Sequence, residues 1–194
     1  MSLKERVYSV LIVSASKNFN ASLADMLPES IYYPVSTVSS VSAAKRNAVE
    51  RVFDFVMINS PLPDDAGINF AIDLSLRTST AVLLLVRSDI HDEIYYKVAE
   101  HGVFTMPKPT SKPSMIQALR WLACARERMR RSEKKSLSFE EKMEEIRIVN
   151  RAKLLLISNL KMSEPNAHHY IQKQAMDRCI SCKEVAENII LTYS

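Results

Sequence analysis

The chain has 194 residues and only two glycines, Gly67 and Gly102, whereas the usual glycine share of about 7% would give roughly fourteen. Gly-rich phosphate loops and dinucleotide fingerprints need several glycines close together, so both are excluded. A hydrophobic share of 47% and a charged share of 25% are ordinary for a globular protein. No apolar run approaches the roughly 18 residues of a membrane-spanning helix. We therefore expect a cytoplasmic protein that does not associate with a membrane, and its three cysteines do not suggest a disulfide framework.

The first 124 residues alternate between apolar strands and amphipathic helices. Strands are predicted at 7–13, 32–38, 53–58, 81–86 and 103–106. Helices are predicted at 16–27, 42–51 with Ser42 as cap, 68–76, from Asp89 or Asp92 to about 101, and from Ser111 or Ser114 onward. Such units imply an α/β fold with a doubly wound, five-stranded parallel sheet covered on both faces. Sites in such sheets form at the carboxyl ends of the strands, here Ser14, Asn59, Val86 and Lys108.

Residues 5–125 resemble the receiver domain of response regulators, which has a flavodoxin-like fold. The segment 11–15 is similar to the family's first strand and the acidic pair after it. The segment 54–64 is similar to the third strand, the phosphoacceptor and the following turn, which places Asn59 at the phosphoacceptor position. Lys108 and Pro109 resemble the Lys-Pro pair after the fifth strand.

The reactive residues that this resemblance implies are mostly replaced. Asn59 is an amide where the family has the phosphoaccepting Asp, and Ser14 and Ala15 stand where the family has its metal-binding acidic pair. Val86 replaces the hydroxyl residue that contacts the phosphoryl group, and only Lys108 keeps its type. Mg²⁺ prefers anionic oxygen ligands. We therefore predict a pseudo-receiver that is not phosphorylated in the usual way, with no metal and no cofactor.

Two features near this edge have more than one interpretation. Asp64 and Asp65 are carboxylates that could substitute as phosphoacceptors, but turn preferences favour a structural turn over residues 63–67. Lys108 is either an ordinary surface lysine or a hydrogen-bond donor to Asn59 across the strand ends.

The net charge of +4 lies entirely in the last 74 residues, because residues 1–120 are neutral. The densest basic run comprises Arg126, Arg128, Arg130, Arg131, Lys134 and Lys135. Such a run is typical of contact with a polyanion such as nucleic acid. A solvated helix face is the alternative, because Glu127 and Glu133 are interspersed.

A long helix is predicted after Pro113, because no glycine or proline follows until Pro165. One heptad position holds Leu122, Met129, Ser136, Met143 and Asn150, and its companion holds Ala125, Ser132, Phe139 and Ile146. This pattern is typical of a two-stranded coiled coil. We expect residues 125–139 to link two domains and to support a homodimer, although packing within one monomer is the alternative. The serines weaken the centre, and the capping-box spacing from Ser138 to Glu141 suggests that a new helix begins there.

The C-terminal residues 140–194 are predicted to form a three-helix bundle. The first helix covers about 140–159, the second follows a Ser163 cap with Pro165 in its first turn, and the third starts at Ser181 with a capping box to Glu184. The apolar residues assigned to the second helix are Ala167, Tyr170, Ile171, Ala175 and Met176.

Residues 140–191 resemble the ANTAR domain, an RNA-binding module of antitermination regulators. The matching segments are 151–156, 162–167, 175–178 and 185–190. Leu154 replaces the family's usual glycine after Ala-Lys. The resemblance implies binding to leader RNA with paired hairpins, which prevents a terminator from forming. It indicates Lys153 and Arg178 as RNA contacts, with Arg151, Lys161 and Lys173 as weaker candidates for the RNA backbone.

Other interpretations remain open for several residues. Tyr170 could stack on a base, although its spacing favours a core position. Cys179 and Cys182 form a CxxC that a metal site with His168 and His169 could use, but a small buried hydrophobe explains Cys182 better.

Rival functions also remain open. The bundle could bind a protein, making the chain an interaction adaptor, or it could bind duplex DNA. A regulatory protein partner could supply the input signal. No catalytic constellation emerges, so we do not expect an enzyme.

Overall fold

The structure is a computed structural model that describes residues 6–193. The ends of the predicted first and last domains, residues 1–5 and 194, lie outside the described residues. The chain divides into two compact units, Met1–Arg131 and Ser132–Ser194.

The first unit contains a parallel five-stranded sheet, which confirms the predicted fold class. Its strands are β1 (Tyr8–Val13), β2 (Tyr32–Val38), β3 (Phe55–Asn59), β4 (Ala81–Arg87) and β5 (Phe104–Lys108). Their order across the sheet is β2-β1-β3-β4-β5, and every neighbouring pair is parallel. The helices are α1 (Lys17–Ala24), α2 (Val41–Glu50), α3 (Ile68–Arg77), α4 (His91–Val98) and the start of α5 (Lys112–Leu160).

Alternation along the strands builds a separate core on each face of the sheet. Leu11, Val56 and Leu84 belong to the core that includes buried residues of α2, α3 and α4. Ile12 and Met57 belong to the core that includes Leu23 of α1 and Leu122 of α5. Because helices cover both faces, the strands read as continuous apolar runs instead of alternating ones.

Two predicted helix starts are wrong. Helix α2 begins one residue earlier than expected, and Ser40, not Ser42, caps it by accepting a hydrogen bond from the Ala43 amide at 3.2 Å. Neither Asp89 nor Asp92 caps α4, because a short 3₁₀ turn, Ser88–Ile90, leads directly into it. Of the two candidates for α5, Ser111 supplies the side-chain oxygen, which accepts from the Ser114 amide at 3.2 Å.

Helix α5 is one element of 49 residues, so the predicted new helix at Ser138 is wrong. Serine in a helix interior costs only about 0.5 kcal/mol relative to alanine, so Ser132 and Ser136 do not stop the helix. The start of the predicted heptad seam also needs correction. Leu122 is fully buried in the core of its own sheet, as the monomer alternative supposes.

No helix among residues 6–193 combines the length and hydropathy that crossing a bilayer requires.

A buried charge cluster fastens the early part of α5 to the amino edge of the sheet. The Asp54 carboxylate, just before β3, accepts from Arg126 Nε at 2.9 Å and from Arg130 Nη2 at 2.6 Å. It also accepts from the Ser9 amide at 3.0 Å. Burial acts to raise the pKa of Asp54, but the hydrogen bonds from Ser9 and Arg126, together with the charges of Arg130 and Arg126, outweigh burial and lower that pKa.

A second carboxylate extends this cluster to β1. Glu127 accepts from Arg130 Nη1 at 2.8 Å and from the Tyr8 hydroxyl at 3.4 Å. Burial, followed by the charge of Glu127, raises the pKa of Tyr8 to about 12. The Arg130 guanidinium also lies over the Tyr8 ring, 5.6 Å from its centroid. Two strand starts and one helix are thus joined by charge-assisted contacts.

The second unit comprises the end of α5 with α6 (Glu164–Arg178) and α7 (Cys182–Tyr193). Ser163 caps α6, with Pro165 in its first turn, and Ser181 and Glu184 exchange both capping-box hydrogen bonds, at 3.0 and 3.1 Å. The buried core contains Ala152, Leu156, Ala167, Ile171, Ala175, Val185, Ala186 and Ile189.

We predict that Asp54→Asn lowers the free energy of unfolding by about 3 kcal/mol at neutral pH, because it removes the carboxylate that Arg126 and Arg130 share. The matched control Asp73→Asn, at an exposed position of α3, should change it by less than about 0.5 kcal/mol. Urea denaturation of both variants measures the difference.

The same pair of variants tests the pKa of Asp54. Because folding lowers that pKa from 3.8, the stabilisation is complete above the unfolded value and is lost as the pH falls through the folded one. The difference in free energy of unfolding between wild type and Asp54→Asn should therefore become smaller in acid. A gap that stays constant from neutral pH to well below the unfolded value would contradict this assignment.

Candidate functional site

A continuous chain of hydrogen bonds lies at the carboxyl edge of the sheet, around the predicted phosphoacceptor position. Lys108 Nζ, at the end of β5, donates to Asn59 Oδ1 at 2.7 Å and to the Ser60 carbonyl. Asn59 Nδ2 in turn donates to Ser14 Oγ at 3.0 Å. Of the two interpretations of Lys108, the structure therefore bears out the hydrogen bond to Asn59. Burial lowers the pKa of Lys108.

The chemistry of this edge differs from that of a phosphorylation site. Asn59 and Ser14 are buried but neutral, and Val86 is buried without a hydroxyl. Within residues 6–193 no three His, Cys, Asp or Glu side chains come together to hold a metal ion. The Asn59 side chain hydrogen-bonds both the Lys108 ammonium and the Ser14 hydroxyl. An amide is not a nucleophile, so Asn59 links these groups without offering one.

Asp64 and Asp65 have structural partners, as the turn interpretation supposes. The Asp64 carboxylate accepts from the amides of Val41 and Ser42, both at 2.9 Å, at the first turn of α2. These hydrogen bonds, first from Ser42 and then from Val41, lower the pKa of Asp64. Asp65 Oδ1 accepts from the Gly67 amide at 2.6 Å, where Gly67 has a positive φ of 76° that favours glycine.

The basic run of α5 divides into two kinds of residue. Arg126 and Arg130 point into their own unit and pair with Asp54. Arg128, Arg131, Lys134 and Lys135 are exposed. The run is therefore neither a wholly solvent-exposed helix face nor a continuous basic surface for a polyanion.

In the second unit, the predicted RNA contact Lys153 already has an acidic partner. Its Nζ donates to Glu164 Oε1 at 3.0 Å, and its side chain is only 16% exposed. Glu164 is the first residue of α6, and the hydrogen bond and charge of Lys153 lower its pKa. A phosphate that approaches Lys153 therefore competes with this carboxylate.

The other four predicted contacts are exposed and are not gathered around Lys153. Arg151 precedes Lys153 by two positions on α5, so it faces a different side of that helix. Lys161 follows the end of α5 with a positive φ of 57°, and Lys173 lies on an exposed side of α6. Arg178 ends α6, about 21 Å along the helix axis from Glu164 at 1.5 Å per residue. Lys153 and Arg178 would thus contact different parts of a bound molecule.

Two apolar side chains of α6 differ from their predicted roles, and Leu154 of α5 is exposed as well. Tyr170 and Met176, assigned to the apolar face of α6, are both exposed. Their spacing places them away from the Ala167, Ile171 and Ala175 face. Leu154 is 66% exposed, so the side chain that replaces the expected glycine does not tighten the packing of the bundle.

The two cysteines of the CxxC differ in their surroundings. Cys179 is exposed and ends α6 in the left-handed conformation, with φ 54°. Cys182 is partly buried and packs against the core of the bundle, as a small hydrophobe would.

Comparison with known proteins identifies this bundle. Residues 138–190 match the ANTAR domain family. This part of the chain is an ANTAR domain. The ANTAR domain begins inside α5 and contains all five predicted RNA contacts.

Similarity to known proteins extends over most of the chain. The transcriptional regulatory protein PdtaR of Mycobacterium tuberculosis strain H37Rv is 27% identical over 183 residues, covering 94% of this chain and 89% of PdtaR. The receiver domain of an HD domain-containing protein from Pseudomonas fluorescens Pf-5 superposes with a TM-score of 0.58 at 19% identity, covering 68% of this chain and 96% of that domain. The beryllofluoride-activated NtrC4 receiver domain dimer superposes with a TM-score of 0.53 at 21% identity, covering 62% of this chain and 98% of that chain. The fold ahead of the ANTAR domain is a receiver fold.

Sequence reasoning missed two interactions next to the predicted sites. Glu164 was assigned only to the ANTAR motif and not to Lys153, eleven positions earlier. Asp54 was matched as part of a strand, without its two arginine partners, which lie 72 and 76 positions later. A lone acid at the start of a buried strand, together with a basic run on a later helix, is the signal that points to such a pair.

Proposed function

We propose that this protein is an RNA-binding transcription antitermination regulator. The ANTAR domain of residues 138–190 is the observation that carries the proposal, and the likeness to a transcriptional regulatory protein over 94% of the chain supports it. The protein acts by binding nascent leader RNA with paired hairpins in the cytoplasm, and not by catalysis. Binding stabilises an RNA structure that prevents a terminator hairpin from forming.

The exposed basic residues of the ANTAR domain suit this target. Unstacked bases in hairpin loops are accessible to side chains, while phosphates reward lysine and arginine. Arg178 is exposed, and no acidic partner for it occurs within residues 6–193. Tyr170 and Met176 expose apolar surface on the same helix. An exposed tyrosine ring offers a stacking surface to single-stranded bases.

We predict that Arg178→Ala and Lys153→Ala each weaken binding to a paired-hairpin RNA at least about fivefold. Each should also reduce the slope of log affinity against log salt by about one, because one phosphate contact is lost. Glu164→Gln should strengthen binding by about two- to fivefold, since an exposed ion pair holds a lysine by about 0.2–1 kcal/mol. Gel shifts at several salt concentrations measure all three.

Lys183→Ala is the matched control, because Lys183 of α7 is also paired, at 4.0 Å from Glu187, and lies outside the predicted contacts. It should leave the affinity unchanged. If saturating dimeric protein binds no paired-hairpin RNA, the RNA proposal fails and an adaptor function is favoured. If it prefers duplex DNA of equal length, a DNA-binding regulator is favoured.

We also propose that the protein is a homodimer held by an α5 coiled coil. Phe139, Met143 and Ile146 lie at successive seam positions and are exposed on their own monomer. Three large apolar side chains on one helix stripe favour burial against a second copy.

Flanking charges favour a parallel pairing. In a parallel coiled coil, the residue just before the heptad position of Met129, Ser136 and Met143 faces the residue five positions later on the other helix. This rule pairs Arg128 with Glu133 of the partner subunit and Lys135 with Glu140 of the partner subunit. Both pairs are oppositely charged. The next pair would set Lys142 against Arg147 of the partner subunit, but Arg147 lies 3.7 Å from Glu144 on its own helix.

We predict that Ile146→Glu weakens dimerisation at least about tenfold, because it places two carboxylates in the seam. The control is Leu137→Glu, which directly follows the seam residue Ser136 but lies outside the seam, and which is 59% exposed, against 53% for Ile146. Sedimentation equilibrium gives both dissociation constants. A monomeric wild type, or equal effects of the two variants, would refute a dimer through this seam.

We propose that the receiver-type domain is a pseudo-receiver that does not take up a phosphoryl group. Asn59 offers an amide, and its oxygen is held by Lys108. A regulatory protein partner, a change of dimerisation or another ligand would then supply the input.

We predict that incubation with acetyl phosphate and Mg²⁺ leaves the mass of the intact protein unchanged. A receiver domain with a complete acidic site serves as the positive control. Any labile adduct of phosphate mass on this chain, in particular on Asp64 or Asp65, would disprove the pseudo-receiver assignment.

A further inference from the structure

A cavity of about 870 Å³ opens at the carboxyl edge of the sheet, beside Asn59. Its volume falls within the range of about 300–1,000 Å³ that is usual for small-molecule sites. Apolar walls come from α1 and the turn after it, from β4 and from the first turn of α5. They comprise Phe19, Leu23, Met26, Leu85 and Met115. Every lining residue belongs to the first unit.

The cavity has one charged end. Lys108 is the only charged side chain among the residues that line it. An ammonium group has three donors. Two of them are directed at Asn59 Oδ1 and the Ser60 carbonyl, and no further hydrogen bond of this ammonium occurs within residues 6–193. The third N–H has no protein acceptor among the described residues, and Lys108 lines the cavity.

The composition of the wall selects the chemical class of the occupant. No carboxylate lines the cavity, so the wall offers nothing to a divalent cation. One ammonium and a mostly apolar wall suit a single negative charge on an apolar body better than a compact dianion such as phosphate. Two methionines and a phenylalanine adapt readily to alkyl or aryl groups.

We propose that this cavity binds a small amphipathic carboxylate, with its charged end at Lys108 and its alkyl or aryl body between α1 and the start of α5. Hydroxyl and amide groups of Ser16, Asn18, Ser22 and Thr110 line the remaining wall and would contact polar substituents of the ligand. The site occupies the edge where a phosphorylated receiver takes up its phosphoryl group. It would give this chain a chemical input that needs no phosphate.

This inference does not depend on the RNA-binding proposal. The ligand contacts only the first unit, so its binding can be measured in the full chain without RNA.

The test uses sodium octanoate and phenylacetate as probes, with 1-octanol as the uncharged counterpart and inorganic phosphate as the small anion. Binding to the full-length protein is followed by two-dimensional amide NMR, with the amides of Phe19, Ser22 and Thr110 as reporters. We expect saturable shifts with at least one carboxylate, binding at least about tenfold weaker for octanol than for octanoate, and no saturable shift with phosphate.

Two variant pairs test the charge at the site. Lys108→Gln should weaken octanoate binding about tenfold and leave octanol unaffected, whereas Lys97→Gln, at an exposed position of α4, should change neither. Ser22→Glu introduces a negative charge into the wall and should weaken octanoate binding, while its neutral counterpart Ser22→Gln should not. The Ser22 pair decides the question if Lys108→Gln does not fold.

Three outcomes would overturn the proposal. The first is the absence of saturable shifts with every carboxylate at millimolar concentration. The second is equal binding of phosphate and octanoate, which would indicate a simple anion site. The third is equal behaviour of Ser22→Glu and Ser22→Gln, which would place the ligand elsewhere.

Discussion

A parallel sheet must be covered on both faces, and this constraint determines the rest of the first unit. One face is covered by α2, α3 and α4, and the other by α1 and the first turns of α5. The start of α5 is therefore part of the sheet's own core, and Asp54 then holds its next turns through Arg126 and Arg130. The large apolar seam residues Phe139, Met143 and Ile146 are exposed on the monomer.

The two edges of the sheet differ in their chemistry. At the carboxyl edge a hydrogen-bond chain runs from the Lys108 ammonium to the neutral side chains of Asn59 and Ser14. The buried carboxylate of this unit lies at the amino edge, where Asp54 serves structure and not reaction. A mostly apolar cavity opens at the carboxyl edge, beside Asn59. A regulator built this way would respond to occupancy or partner contact instead of phosphoryl transfer.

Periodicity and turn chemistry were enough to predict all five strands, their parallel arrangement and the three helices of the ANTAR domain. They were enough because apolar runs and capping residues act locally, as at Ser163 and Ser181. The sequence could not predict long-range pairs, since the partners of Asp54 and Lys153 depend on how distant elements meet. The prediction of a helix break near Ser136 was wrong, because α5 is continuous there. The prediction that Met176 lies on the apolar face of α6 was also wrong, because an apolar residue at near-helical spacing need not face the core.

We propose that nascent RNA with paired hairpins is the ligand of the ANTAR domain. Sequencing of RNA crosslinked to this protein in its host, compared with an Arg178→Ala chain, tests that claim most directly. The account predicts enrichment of untranslated leaders in which two small hairpins precede a terminator, and loss of that enrichment with the variant. Crosslinked RNA without such leaders, or an identical profile for both chains, would contradict it.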